Sequence, residues 1–306
     1  MSTVVVGLNS LYRSGTSAFM LHLVHESDWD LILVNPEGEP QEDDIDDIPP
    51  GIRYTYVKDE DFEKSVKGYS SVVIGAPRWG GEYDFISGKL DANISVVVHD
   101  LNDNRRMGLS KLLQFVYPTT IFHFDTVTGL FMNSMSRDHL GFRVIRMRLP
   151  FSKTLMPGPV SEGERKYVVC ASRPTPSKGH DVVQASSEGH PLRVLSRNGV
   201  YTWQEASDAY NLAFAAVDAW TLDEPYDAPS YTTIEAWHHG VPFLCNSQNF
   251  GGEMIPGVSC LELNPININL LSRFNSPVAR TLRFHGKAFC ELHDASLIRR
   301  EMERWI

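Results

Sequence analysis

The sequence predicts an α/β protein made of two parallel-sheet domains, and three observations carry that expectation. Short β-rich runs alternate with helical patterns, and strands separated by helices imply parallel sheets covered on both faces. Residues 150–165 (PFSKTLMPGPVSEGER), rich in proline and glycine, interrupt the alternation, which then restarts; they read as a linker. The length of 306 residues fits two domains at roughly 150 residues each. The expected domains are 1–152 and 153–306.

In the first domain Thr3–Leu8 (TVVVGL) reads as a buried strand. Ser14, Gly15 and Thr16 open a helix with Met20, Leu23 and Val24 on one face, and Asp30–Val34 is the next strand. Strands follow at Arg53–Val57, Ser71–Ala76, Ile94–His99 and Thr120–Phe124. Between the last two, Leu109, Leu112, Leu113 and Val116 keep helical spacing, and Pro118 ends that helix. In the second domain Tyr167–Ala171 reads as a strand, Gly179–Ser187 as a helix and Leu192–Leu195 as a strand. Thr202 and Glu205 form a capping box that opens another helix. A short strand is expected at Ala219–Leu222, a helix at about Ser230–His239 stopped by Gly240, and a strand at Val241–Cys245.

Composition excludes several classes. With 28 Lys and Arg against 38 Asp and Glu, the net charge is −10, which argues against indiscriminate binding to nucleic acid or anionic lipid. No apolar window reaches the ~18 residues of a membrane span, and the amino terminus lacks a basic region followed by an apolar stretch. The four cysteines are widely spaced, without a Cys-x-x-Cys pair. They read as reduced thiols of a cytoplasmic protein, neither a disulfide scaffold nor a zinc site. The acidity is uneven. Residues 37–47 hold seven acids and no base, whereas residues 101–153 hold eight bases and three acids, a net of +5. A local basic face is therefore compatible with the whole.

The dinucleotide fingerprint is absent: the residues from Gly7 to Gly15 lack the Gly-x-Gly-x-x-Gly spacing, and no Gly-Lys-Ser/Thr occurs. More informative is the run from the Tyr167–Ala171 strand into Arg173 and Lys178. Open α/β sheets place ligands at the carboxyl ends of their strands. An arginine fork and a lysine point charge suit a diphosphate; two solvated loop residues are the alternative. Further on, Asp227 precedes a helix start whose amides at Tyr231, Thr232 and Thr233 favour an anion, and Glu235 follows two turns later. Asp227 would accept from sugar hydroxyls and Glu235 from a ribose; an ordinary helix ending at Gly240 is the alternative.

In the first domain His99 and Asp100 form a titratable pair at a strand tip, suited to orienting or deprotonating an acceptor hydroxyl. Trp79 opens an aromatic loop that would stack on an extruded base, or serve only as surface. Asp28 with Asp30, Asp44 with Asp46 and Asp59 with Asp61 read as surface charge, and His238 and His239 as complements to a helix dipole. Gly251 and Gly252 offer a close backbone approach to a ligand.

Arg173 with Lys178 and Gly179, followed by the acid–seven residues–Glu pattern ending at Glu235, resembles the donor domain of the GT-B retaining glycosyltransferases. The resemblance covers about residues 166–253, with Asp227 where Glu is usual and Ser172 where Gly is usual. It implies two Rossmann-like domains whose parallel sheets face a cleft. Arg173 and Lys178 would hold the diphosphate of a nucleotide sugar, Asp227 the sugar and Glu235 the ribose. The order strand, His99-Asp100, Arg105-Arg106, helix, strand is similar to the T-even phage glycosyltransferases acting on 5-hydroxymethylcytosine in DNA. There Gly15 falls in a loop opening the first helix, and His99 and Asp100 lie at the active site.

The expectation is therefore a retaining, UDP-sugar-dependent transferase moving arabinose or glucose to the hydroxymethyl group of 5-hydroxymethylcytosine in double-stranded phage DNA. Arg105, Arg106 and Trp79 would face the DNA. No metal or cofactor beyond the UDP-sugar co-substrate, no membrane partner and a monomer are expected. The alternatives are a transferase acting on a lipid or cell-surface polysaccharide, and a nucleotide-sugar epimerase.

Overall fold

The continuously apolar runs TVVVG, SVVIGA and NISVVV occupy the middle of a sheet, as strands covered on both faces need no alternation. The computed structural model describes residues 2–8, 14–41, 48–78, 82–86, 90–99, 103–137, 141–159, 164–172, 178–195, 202–220 and 226–306, the side chains of 103–105 excepted.

The chain divides into two compact units, Met1–Pro150 with Ala295–Ile306, and Phe151–Asp294. The first contains β1 (Thr3–Gly7), α1 (Gly15–Val24), β2 (Asp30–Asn35), β3 (Tyr54–Lys58), α2 (Phe62–Val66) and β4 (Ser71–Ala76). It continues with β5 (Asn93–Val98), α3 (Asp103–Phe115), β6 (Thr120–His123), α4 (Thr126–Met135) and β7 (Arg143–Arg146). Its seven strands lie in the order β3-β2-β1-β4-β5-β6-β7, and every pairing is parallel.

The second unit contains β8 (Tyr167–Cys170), α5 (His180–Ser186), β9 (Leu192–Val194), α6 (Trp203–Leu212), β10 (Ala213–Asp218) and α7 (Tyr231–His238). After these come β11 (Phe243–Cys245), β12 (Cys260–Glu262), α8 (Pro265–Ser272) and α9 (Pro277–Glu291). The sheet order is β12-β11-β10-β8-β9, again wholly parallel. In each sheet the chain reverses direction once, between β1 and β4 and between β8 and β10. Those are the topological switch points, where open α/β sheets receive ligands.

Thr202 and Glu205 do form a reciprocal capping box at the start of α6. Three expectations need correction. The strand expected at Ala219–Leu222 lies earlier, at β10. Its AFAAVD sequence is alanine-rich and carries a weak β signal, so the pattern drew attention to the bulkier residues that follow.

The supposed linker is not loose along its first part. Phe151, Leu155 and Met156 are buried, and the Pro157 carbonyl accepts from Ser207 Oγ at 2.8 Å. The second domain also does not run to residue 306. The last helix, α10 (Ala295–Met302), returns to the first unit, where Arg299 Nη1 donates to the Leu23 carbonyl at 2.8 Å.

Candidate active site

The switch point of the second sheet gathers the chemistry. β8 leads to Lys178 and β10 ends in Asp218, and α7 starts close by. Gly179, in the left-handed region at φ 55°, lets the two loops meet: a Cβ there would lie 2.7 Å from the Ala219 carbonyl oxygen. The loop after β10 is held on several sides. Trp220 N donates to Asp218 Oδ1 at 3.1 Å, Asn246 Nδ2 to the Ala219 carbonyl at 2.7 Å, and Asn249 Nδ2 to the Trp220 carbonyl at 2.9 Å. The Lys178 ammonium lies 4.0 Å from the centroid of the Trp220 ring, which packs on Tyr226 at 5.2 Å.

Asp218 also binds the start of α7. Its Oδ2 accepts from Thr232 Oγ1 at 3.3 Å, and Ser230 caps the helix by accepting from Thr233 N at 3.4 Å. A pocket partly open to solvent is lined by Asp218, Trp220, Tyr226, Ser230, Thr233 and Asn249 among others. Tyr231 and Thr233 have buried side chains, and the Thr233 amide is taken up by the Ser230 cap. Gly251, at φ 147°, brings its backbone against Asp227: a Cβ would sit 2.9 Å from the Asp227 Cβ. The close approach expected of this glycine is thus made to a candidate sugar-binding side chain.

Glu235 is 5 % exposed, and its Oε2 lies 3.1 Å from the Tyr210 hydroxyl. Burial pushes its carboxyl from the ordinary 4.5 up to about 8, with the Tyr210 hydrogen bond pulling the other way. His238 and His239 do not act as charged complements to the helix dipole. Burial lowers both, His238 to about 4. His239 Nδ1 donates to the Glu235 carbonyl at 2.9 Å.

In the first unit His99 follows β5. Its Nε2 lies 2.9 Å from the Gly75 carbonyl, which can only accept, so that nitrogen carries the proton. The ring packs edge-on to Phe19 and tilted on Phe124. Gly15 begins α1 behind the Ser14 cap, and a side chain added there would meet open space. The Arg106 guanidinium lies 5.3 Å from the Phe131 ring centroid. Asp100, Arg173 and Trp79 lie outside the described residues, as does the Arg105 side chain.

Asp59 is more than surface charge. It accepts from Arg78 Nη1 at 2.8 Å, and Arg78 Nε donates to the Leu8 carbonyl at 3.1 Å. An arginine side chain thus spans the strand tips at the switch point of the first sheet. Asp30 likewise pairs with Arg53 at 2.6 Å. Among the described residues no group of three or more His, Cys, Asp or Glu is placed to hold a metal ion, and no helix is long and apolar enough to cross a membrane.

Sequence reasoning missed Asp218, Trp220, Tyr210, Asn246 and Asn249. Placing β10 correctly would have revealed the first two, since they stand at the carboxyl end of a strand beside the switch point.

Two all-parallel sheets in two successive units, each with its own switch point, define the α/β architecture known as GT-B. Comparison with solved structures agrees. The chain aligns with an α-glucosyltransferase in complex with UDP and a 13-mer DNA containing a HMU base, at TM-score 0.73 and 11% identity over 99% of each chain. It aligns with HepE from Anabaena, in complex with UDP and glucose, at TM-score 0.68 and 12% identity over 99% of each chain. A sucrose-phosphate synthase from Thermosynechococcus elongatus matches at TM-score 0.67 and 14% identity, over 99% of this chain and 98% of that one. At such identities the similarity is one of fold. No family model matches the chain, and no curated protein matches it significantly in sequence.

Proposed function

We propose that the protein is a retaining glycosyltransferase that takes a sugar, arabinose or glucose, from a UDP-sugar held by the second unit. The observation that carries this is the meeting of Lys178, Asp218, Trp220 and the start of α7 at one switch point. A cation and helix amides are suited to the negative charge that builds on a departing diphosphate, and stabilisation of this kind is commonly the largest catalytic contribution. Arg173 would add its fork to that diphosphate. Asp227 would orient the sugar and Glu235 the ribose, and in this scheme no step needs a metal.

The first unit would supply the acceptor side, with His99 and Asp100 at the receiving hydroxyl. The Nε2 contact with the Gly75 carbonyl would fix the orientation of the His99 ring for this role. We assign the acceptor as the hydroxymethyl group of 5-hydroxymethylcytosine in DNA. Two things support this: the DNA-bound α-glucosyltransferase among the fold neighbours, and the net +5 of residues 101–153. A base in a duplex would have to be flipped out, at a cost of about a few kcal/mol. Arg105, Arg106 and Trp79 would hold the opened DNA.

The test incubates the protein with UDP-glucose or UDP-arabinose and DNA carrying either cytosine or 5-hydroxymethylcytosine, then weighs the digested nucleosides. A sugar added to 5-hydroxymethylcytosine alone is the expected result. Donor cleaved without any gain on the DNA would move the acceptor to a lipid or polysaccharide. Donor left intact with every acceptor would overturn the transferase assignment.

A further inference from the structure

The loop after β10 is built with more care than a connection requires. Four side chains fix two residues of backbone: Asp218 takes the Trp220 amide, Asn246 the Ala219 carbonyl, and Asn249 and Gln248 the Trp220 carbonyl. Behind the indole stands Tyr226, at 5.2 Å. What this pinned ring presents to the switch point is the face over which the Lys178 ammonium lies, at 4.0 Å.

We propose that Trp220 is a positioning residue, whose ring seats Lys178 for the diphosphate of a nucleoside diphosphate ligand. This rests on reading the second unit as the nucleotide-sugar site.

The physical case lies in what an aromatic face does for a lysine that a carboxylate does not. A carboxylate would fix the ammonium but cancel its charge and repel the incoming phosphates. An aromatic face attracts a cation through its quadrupole while adding no net negative charge. A long side chain that would otherwise be ordered at binding is ordered beforehand, so less rotamer entropy is lost when the ligand arrives. Asp218 contributes at one remove: the same carboxylate that binds Thr232 at the start of α7 also fixes the Trp220 amide. The two groups aimed at the diphosphate are thereby tied to one anchor.

The experiment is a double-mutant cycle read by UDP and uridine affinity. Trp220→Leu should weaken UDP by about 3- to 30-fold, the range of a cation–π contact. Uridine, which has no phosphate, should be left within about twofold. Trp220→Phe keeps a ring face and should retain most of the UDP affinity. In a Lys178→Ala background, Trp220→Leu should cost nothing further. Trp220→Met, which has bulk but no ring, replaces the leucine variant if that one does not fold.

Equal losses for UDP and uridine, or the same loss with Lys178 absent, would mean that Trp220 acts as packing alone and would overturn the proposal. So would normal UDP binding by the Trp220→Leu protein. Wild-type protein that binds no UDP would instead overturn the nucleotide-sugar assignment, and this proposal with it.

Discussion

Glu235 illustrates how burial decides the state of a candidate site side chain. Its carboxyl is held near 8 when folded, against 4.5 ordinarily. A raised folded value means that the native state binds the proton more tightly. The contribution to stability is complete below about 4.5 and is lost as pH rises through about 8. Glu235→Gln, an uncharged mimic of the protonated acid, should escape that loss. Urea midpoints of the two proteins, compared at about pH 5 and about pH 9, should diverge in favour of the variant at the higher pH. A constant difference would show that Glu235 ionises as freely in the native protein as in the unfolded chain. Lys178, Asp227 and Glu235 stand out in the sequence as candidates because each belongs to a spaced pattern of charged groups. Asp218 and Trp220 were hidden by the weak signal of β10, whose carboxyl end they mark, and their contacts with Thr232 and Lys178 reach across sequence gaps.

At the scale of elements, α7 positions the site and is itself positioned by α9. The two helices approach closely because residue 286 is glycine. A Cβ there would lie 2.6 Å from Trp237 Cδ1 on α7, while Trp237 Nε1 donates to the Ser259 carbonyl at 3.1 Å. Gly286→Ala should therefore cost about 1–3 kcal/mol through overpacking, despite alanine's better helix propensity. Chemical denaturation measures it; a neutral or stabilising result would show that α9 can retreat freely. The central strands were legible because their apolar runs are continuous, and α6 because its capping box is local. β10 was not, since alanines pack a parallel sheet well while signalling little. The helices α8, α9 and α10 were not assigned from sequence, although Asn264 and Ser276 cap the first two and Pro265 and Pro277 follow those caps.

For the molecule as a whole, the alternation of strands and helices was enough to predict two parallel-sheet domains, and the break near residue 150 agrees with the division at Phe151. The return of the carboxyl-terminal helix was not predictable. It depends on Arg299 reaching the carbonyls of Leu23 and His25 across nearly the full length of the chain. The net charge of −10 arises largely from the seven acids of residues 37–47, and so describes one segment more than the whole chain. The two units also differ at their switch points. Arg78 reaches across the strand tips of the first, while the second presents a lysine, a helix start and a pocket.

That contrast supports the proposal that the second unit holds the nucleotide, and UDP binding tests this most directly. Calorimetric titration should show that the wild-type protein binds UDP. Arg173→Ala and Lys178→Ala should each weaken it by about tenfold or more, as expected for loss of a charge-assisted contact. Undetectable binding by the wild type, or unchanged affinity in both variants, would contradict the account.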